Sequence, residues 1–289
     1  ISTLLFLLMR LSGDPAAMLA GPQATPEQIE GFRTQLGLDR PLIVQYWYFI
    51  TDIARLDFGF SYQYQRPVME AVMERFPASL QLTFSAVALA LVIAIPVGIF
   101  AAVRRGRLSG SAVLTGTLLG QSVPNFVLGI LLILVFAVTL GWLPSFGRDG
   151  LASLILPTLT LSAFMMARQT RLVRAYMVEE LSKDYVRAAQ ANGIPLRRIR
   201  FKHALRNVMV PVVGLAGIDV GQMFGGAVIT EVIFAWPGMG RLLVDAVLTR
   251  DYPLVQAAVF VIAVLVVVVN FVIDLLYRVI DPTLGSQRE

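Results

Sequence analysis

The chain alternates long apolar stretches with shorter charged ones. The stretches that lack charge over most of their length run from about Leu80 to Val103, Ala112 to Leu140, Leu151 onward, Val208 to Thr230 and Leu254 to Ile273. Each is at least as long as the roughly 20 residues that an α-helix needs to cross about 30 Å of hydrocarbon. The pattern therefore predicts five complete membrane-spanning helices.

A shorter apolar stretch, Ile1 to Leu11, opens the sequence. We interpret it as the end of a membrane helix that begins upstream; the alternative is the core of a secretory signal. The sequence then predicts an all-α polytopic membrane protein with six transmembrane helices, the first one truncated. Residues 12–79 form a long loop region, 80–281 the membrane domain, and 282–289 a tail.

The loop region has helical signals of its own. Thr25 and Gln28 are spaced as in an N-terminal capping box, and Gly37 is the kind of residue that follows a helix. A short helix between them is predicted. The aromatic-rich stretch 42–53 predicts a second helix near the membrane interface, where such rings are enriched.

Composition supports a membrane protein. The chain is 56% hydrophobic and only 15% charged, whereas soluble domains carry about 25% charged residues. The absence of cysteine excludes disulfides and a cysteine nucleophile. The single histidine, His203, excludes the HExxH zinc motif, and we expect no metal site.

Charge placement predicts the orientation. Most of the 24 lysine and arginine residues lie on the same side as Arg104 to Arg107, which the positive-inside rule makes cytoplasmic. Both termini, and the tail 282–289, are then cytoplasmic, and the long loop region 12–79 is periplasmic. Because topology explains the net charge of +5, no nucleic-acid partner is expected.

A cytoplasmic segment at about 182–207, between the third and fourth complete spans, is too long for a simple turn. Ala188 and Ala189 are small enough for close approach of another surface, while Gly193 and Pro195 end a helix. A second short, basic helix is predicted over 196–207. The segment either docks into a soluble partner or rests as a basic loop on phospholipid headgroups.

This segment resembles the EAA loop of the permeases of binding-protein-dependent ABC importers. The matching residues are Ala188, Ala189, Gly193 and Leu205. Arg187 stands where the pattern has Glu, and His203 and Arg206 replace its Ile and Pro. Further short sequence motifs are similar to those of the first permease subunit of the dipeptide, oligopeptide and nickel branch. They lie at 13–15, 36–42, 57–61, 184–189, 203–207, 236–242, 250–254 and 274–277.

The resemblance implies a type I ABC importer permease fold in the bacterial inner membrane, surrounded by membrane lipid. It implies pairing with a homologous second permease, two cytoplasmic ATPase subunits and a periplasmic substrate-binding protein. ATP and Mg would bind the ATPases, because this chain lacks the GxxxxGK[ST] motif. We expect no catalytic residue and no cofactor here.

The resemblance also implies the residues that couple the permease to its ATPases. They are Asp184, Tyr185, Arg187, Ala188, Ala189, Gly193, Pro195, His203, Leu205 and Asn207. The expected cargo is a di- or oligopeptide; nickel and glutathione are the alternatives. An ion-coupled secondary transporter would need internal repeats and usually more spans, and an intramembrane enzyme would need a catalytic pair that the spans lack.

Polar residues within the spans are the candidates for the translocation path. Asp219 either pairs with a polar group on a neighbouring helix or receives a cationic group of the substrate; Gln222 lies three residues on. Gln121 and Asn125 flank a proline and either cover its released backbone groups or contact substrate. The candidates for a periplasmic gate are Glu231, Trp236 and Arg241.

Overall fold

A computed structural model describes residues 3, 6, 7, 16, 24–35, 37–61 and 63–280. Its helices are α1 (Pro26–Gln35), α2 (Leu42–Ala54), α3 (Val68–Val103), α4 (Leu108–Ser122), α5 (Asn125–Thr139), α6 (Leu151–Glu180), α7 (Asp184–Ala191), α8 (Leu196–Ile233), α9 (Met239–Leu248) and α10 (Tyr252–Ile280). Strands β1 (Phe60–Ser61) and β2 (Arg66–Pro67) complete the elements. Most of the predicted first membrane helix, and all of the tail, lie outside the described residues.

Among the described residues, four helices are long and apolar enough to cross a membrane: α3, α6, α8 and α10. They contain four of the five predicted complete spans. The helix α3 begins at Val68, well before the uncharged stretch, because its first turns are amphipathic: Val68, Ala71 and Val72 are buried at helical spacing. The beginning of this helix therefore falls inside the region predicted as a loop.

The fifth predicted span is broken. A single helix over 112–140, interrupted at Pro124, was the expectation, but α4 and α5 meet at 100°. Pro124 precedes the first residue of α5, where a missing N–H does no harm. The segment is a broken span or a re-entrant hairpin. The predicted interruption at Pro124 is present, but it is a sharp bend between two helices rather than a kink within one.

The predicted second cytoplasmic helix is also not separate. Residues Leu196–Arg198, a π-helical stretch Ile199–Ala204 and Leu205–Ile233 follow one another as the single helix α8. The basic segment is thus an extension of a membrane helix, on the side predicted to be cytoplasmic. A π-helical stretch inside an α-helix is frequent at functional sites.

The chain divides into two compact units, and the first comprises Ile1–Arg75 and Leu242–Val264. Its α1 begins as predicted: the Thr25 amide donates to Gln28 Oε1 at 2.9 Å, and the Gln28 amide donates to Thr25 Oγ1 at 3.4 Å. Strands β1 and β2 pair antiparallel. The Ser61 hydroxyl donates to Asp251 Oδ2 at 2.5 Å, which ties the hairpin to the start of α10.

The second unit comprises Phe76–Arg241 and Leu265–Glu289. Its core lies between α3, α6 and α8. One cluster contains Ala78, Leu82, Ala86, Ala90, Leu161, Met165, Ala216, Met223, Ala227 and Trp236. The other contains Ile99, Ala102, Val173, Met177, Ala204, Val208 and Val212; because it lies toward the end predicted to be cytoplasmic, we call it the cytoplasmic core. Alanines four residues apart on α3 let the helices approach closely, as is usual in membrane bundles.

Candidate functional site

The segment between α6 and α8 forms the predicted elbow, which consists of α7 and the turn after it. The Gly193 amide donates to the Gln190 carbonyl at 2.9 Å, and the Ile194 amide donates to the Ala189 carbonyl at 3.1 Å. These two bonds define a Schellman motif, with Gly193 in the left-handed conformation at φ +76°. Among the described residues, no atom outside the neighbouring backbone lies within 4 Å of a Cβ added to this glycine. The backbone conformation, not crowding, therefore selects glycine here.

The helix α7 presents most of its side chains outward. Val186 is 2% exposed and anchors the helix, whereas Arg187 and Ala188 are exposed and Ala189 is half-buried. Arg187 and Asp184 form an ion pair at 3.3 Å with side chains 77% and 96% exposed, a geometry that adds little stability. The exposed face is small and only loosely held together by its own contacts.

A buried carboxylate at the end of α6 holds the elbow. Glu180 accepts hydrogen bonds from Lys183 Nζ at 2.5 Å, Tyr185 Oη at 2.9 Å and Asn207 Nδ2 at 2.6 Å. Burial, together with the bond to Glu180, raises the pKa of Tyr185 to about 12. The phenol is therefore protonated, and remains a donor, over the physiological pH range.

The other predicted coupling residues occupy distinct places. Pro195 precedes the first residue of α8, and His203 is exposed in the π-helical stretch. Leu205 packs against the cytoplasmic core. Asn207 is hydrogen-bonded to α6, through Glu180.

Asp219 lies near the middle of α8 and is 3% exposed. Its Oδ1 forms an ion pair with Arg168 Nη1, and its Oδ2 accepts a hydrogen bond from Gln169 Nε2 at 2.7 Å. Both partners belong to α6. Of the two interpretations of Asp219, this geometry favours pairing with a neighbouring helix, because both carboxylate oxygens are already engaged.

The remaining path candidates lie on open surfaces. Gln222 is exposed and lines a cavity of about 750 Å³ between α8 and the second half of α10, together with Asn270 and three glycines. Gln121 lies in the last turn of α4, Asn125 is the first residue of α5, and both are half-buried. They flank the 100° bend, as the sequence placed them.

The three gate candidates belong to one buried arrangement. Glu231, 1% exposed, accepts hydrogen bonds from Ser79 Oγ at 2.5 Å and from the amides of Gly240 at 2.7 Å and Arg241 at 3.1 Å. These amides lie in the first turn of α9, where the helix dipole favours an anion. The Trp236 indole N–H donates to the Ala78 carbonyl at 2.9 Å. The arrangement joins the end of α8 to α3 and α9.

Comparison with known proteins gives the family. Residues 94–286 match the family described as "Binding-protein-dependent transport system inner membrane component", and residues 1–83 match the N-terminal region described for such components. The chain belongs to this family. It is a permease subunit of an ABC importer, and this membership removes the secondary transporter and the intramembrane enzyme from the alternatives.

The permease is also similar to two named proteins in sequence and to one solved structure in fold. It is 44% identical over 285 residues to the glutathione transport system permease protein GsiC of Escherichia coli (strain K12), covering 98% of this chain and 93% of that protein. The Shigella flexneri serotype 5b (strain 8401) protein of the same name is 43% identical. An inward-facing MetNI methionine ABC transporter matches with a TM-score of 0.62 at 20% identity, over 73% of this chain and 97% of that one. This structure supports the fold alone.

Sequence reasoning on the permease missed Glu180, Arg168, Gln169 and Ser79. One signal existed for Glu180: a carboxylate in the last turn of a helix opposes the helix dipole, and therefore indicates a nearby donor or cation. No local signal existed for the other three, because each acts through a residue at least 50 positions away.

Proposed function

We propose that this permease forms half of a translocation path with a homologous second permease, and that two cytoplasmic ATPases move it by gripping α7. A periplasmic binding protein would deliver the cargo. The observation that carries the proposal is the solvent-exposed helix α7, in which Ala188 is exposed and which ends in a Schellman motif. Such a helix offers a small-residue surface for a groove on a partner.

The cargo that we propose is a small peptide, with glutathione included in the class. Support comes from the 44% identity to a permease named for glutathione transport. Glutathione is itself a tripeptide, so this likeness and the branch of the family point to the same chemistry. A nickel chelate is the competing cargo.

We further propose that the amides Gln222, Gln121 and Asn125 line the path. Their side chains are exposed or half-buried, and uncharged amides bind peptide groups of varied sequence without demanding a fixed charge. Asp219 would contribute indirectly, by holding α6 and α8 together. Glu231, Trp236 and Arg241 would brace the periplasmic end.

The contact between α7 and the ATPase is tested by cross-linking. The chain has no cysteine, so an Ala188→Cys variant carries a single thiol for a maleimide–benzophenone reagent. In the full complex in its membrane, we expect illumination to yield an adduct of this chain with the ATPase. An Asp149→Cys variant, on the exposed loop before α6, is the control and should give no such adduct.

This experiment also tests the orientation. A membrane-impermeant thiol reagent added from the periplasm should label the control and leave position 188 unlabelled. Equal labelling of both positions would contradict the proposed topology, and an adduct of position 188 with lipid only would contradict the coupling role.

The cargo is tested by uptake in cells that depend on this permease. We expect radiolabelled glutathione or a dipeptide to accumulate, and unlabelled small peptides to compete with it. Nickel uptake should be the same with and without the permease. Permease-dependent nickel accumulation with no peptide competition would instead assign the metal chelate as cargo.

A further inference from the structure

The Glu180 cluster, formed by Glu180, Lys183, Tyr185 and Asn207, joins three helices at one carboxylate. Glu180 ends α6, Tyr185 is the second residue of α7, and Asn207 lies in the cytoplasmic part of α8. Tyr185 and Asn207 both bond the same oxygen, Oε1, at 2.9 and 2.6 Å, and Lys183 bonds the other, Oε2. A displacement of α7 therefore acts on α6 and α8 through one group.

The surroundings make this joint stiff. Glu180 is only 6% exposed, so water competes weakly for its oxygens, and hydrogen bonds to a carboxylate are stronger than neutral ones. Within the two preceding turns of α6, Val173 and Met177 pack with Ala204 and Val208 of α8 in the cytoplasmic core. The joint and this core fix the cytoplasmic ends of both helices to each other.

The two helices also share a polar contact deeper in the membrane. Asp219 of α8 is bound by Arg168 and Gln169 of α6. The helices α6 and α8 are therefore joined at two places, by Glu180 near the end of α6 and by Asp219 near its middle. Movement imposed at Glu180 would reach the middle of both helices through this pair rather than through a flexible connection.

We propose that Glu180 is the positioning residue that makes α6, α7 and α8 move as one body when the ATPases displace α7. It contacts no cargo and no nucleotide; it acts by holding Tyr185 and Asn207. This inference rests on the proposed coupling role of α7. It adds a residue that neither the EAA pattern nor the exposed face of α7 includes.

The test uses the complete reconstituted transporter with its binding protein. Glu180→Ala removes the acceptor of all three hydrogen bonds. Glu180→Gln keeps an amide oxygen as an acceptor but loses the charge that pairs with Lys183. Glu179→Ala, at the exposed neighbouring position, is the matched control. Uptake, ATP hydrolysis and the Ala188→Cys adduct are measured on each.

In Glu180→Ala we expect cargo moved per ATP to fall about tenfold, a typical size for coupling between two sites. The ATPase adduct should form as in the parent, because the exposed face of α7 is unchanged. Glu180→Gln should fall between Glu180→Ala and the parent, and Glu179→Ala should equal the parent.

Two results would overturn the inference. Unchanged cargo per ATP in Glu180→Ala would show that the joint transmits nothing. Parallel loss of the adduct, ATP hydrolysis and uptake in both Glu180 variants would show that Glu180 only supports folding. Failure of the adduct in the Ala188→Cys protein with Glu180 intact is a different outcome, because it would reject the coupling role of α7 itself.

Discussion

Replacing Glu231 by alanine is expected to destabilise the folded permease by about 4 kcal/mol, since three donors lose a buried acceptor at about 1–3 kcal/mol each. The donors are the Ser79 hydroxyl and the amides of Gly240 and Arg241. Water cannot replace the carboxylate without opening the packing around it, because Glu231 is 1% exposed. The measurement is the yield and the thermal midpoint of the complex purified in detergent.

Glu70→Ala is the control, because Glu70 is an exposed glutamate on α3. It should leave both quantities unchanged. A Glu231→Ala variant that assembles with the parent's thermal midpoint, but leaks or transports without its binding protein, would contradict the bracing role. It would assign Glu231 to a moving gate instead.

Two glycines beside Glu231 lie where the segment 236–241 has no room for a larger side chain. A Cβ added to Gly240 would lie 2.6 Å from Val228 Cα, and one added to Gly238 would overlap the Glu231 carboxylate. The backbone of this segment therefore approaches the end of α8 more closely than a side chain allows. The sequence showed the glycines but not the surface that they face.

Local sequence signals were sufficient to predict helix ends and membrane spans, because contacts within a few residues determine both. The capping box at Thr25 and the Schellman glycine at Gly193 each fix a helix end through bonds within a few residues. Hydropathy located α3, α6, α8 and α10 for a similar reason, because a span must satisfy its backbone internally. These features were predicted and are confirmed.

Features that depend on distant contacts were not predictable in the same way. The sequence placed a break at Pro124, but the 100° angle depends on what α5 packs against: its Gly129 lies beside Thr160 of α6 and Phe234, after the end of α8. Continuity of α8 depends on burial of Ile199 and Ala204, which no periodicity in this basic segment indicated. The partner of Asp219 is 51 residues away.

Replacing Asp219 by asparagine is expected to cost the folded complex about 3 kcal/mol. Removing one member of a buried ion pair typically costs 3–5 kcal/mol, because it strands the other charge. The lower end applies here, since the Arg168 side chain is 35% exposed. The stranded guanidinium would lie near the middle of α6, a helix long and apolar enough to cross a membrane, where an unpaired charge is costly. The measurement is the amount of assembled complex relative to total membrane protein. The control is Gln222→Asn, on the exposed face of the same helix, which should assemble like the parent.

The double variant Arg168→Met/Asp219→Leu separates the two interpretations of Asp219. Exchanging a buried ion pair for apolar side chains of similar size is often neutral or stabilising, so assembly should return to the parent level. If the pair only joins α6 to α8, uptake returns with it, and this is the expected result. Normal assembly of Asp219→Asn with an altered preference between cationic and neutral peptides would show the opposite: that the carboxylate faces the cargo and that Arg168 releases it during transport.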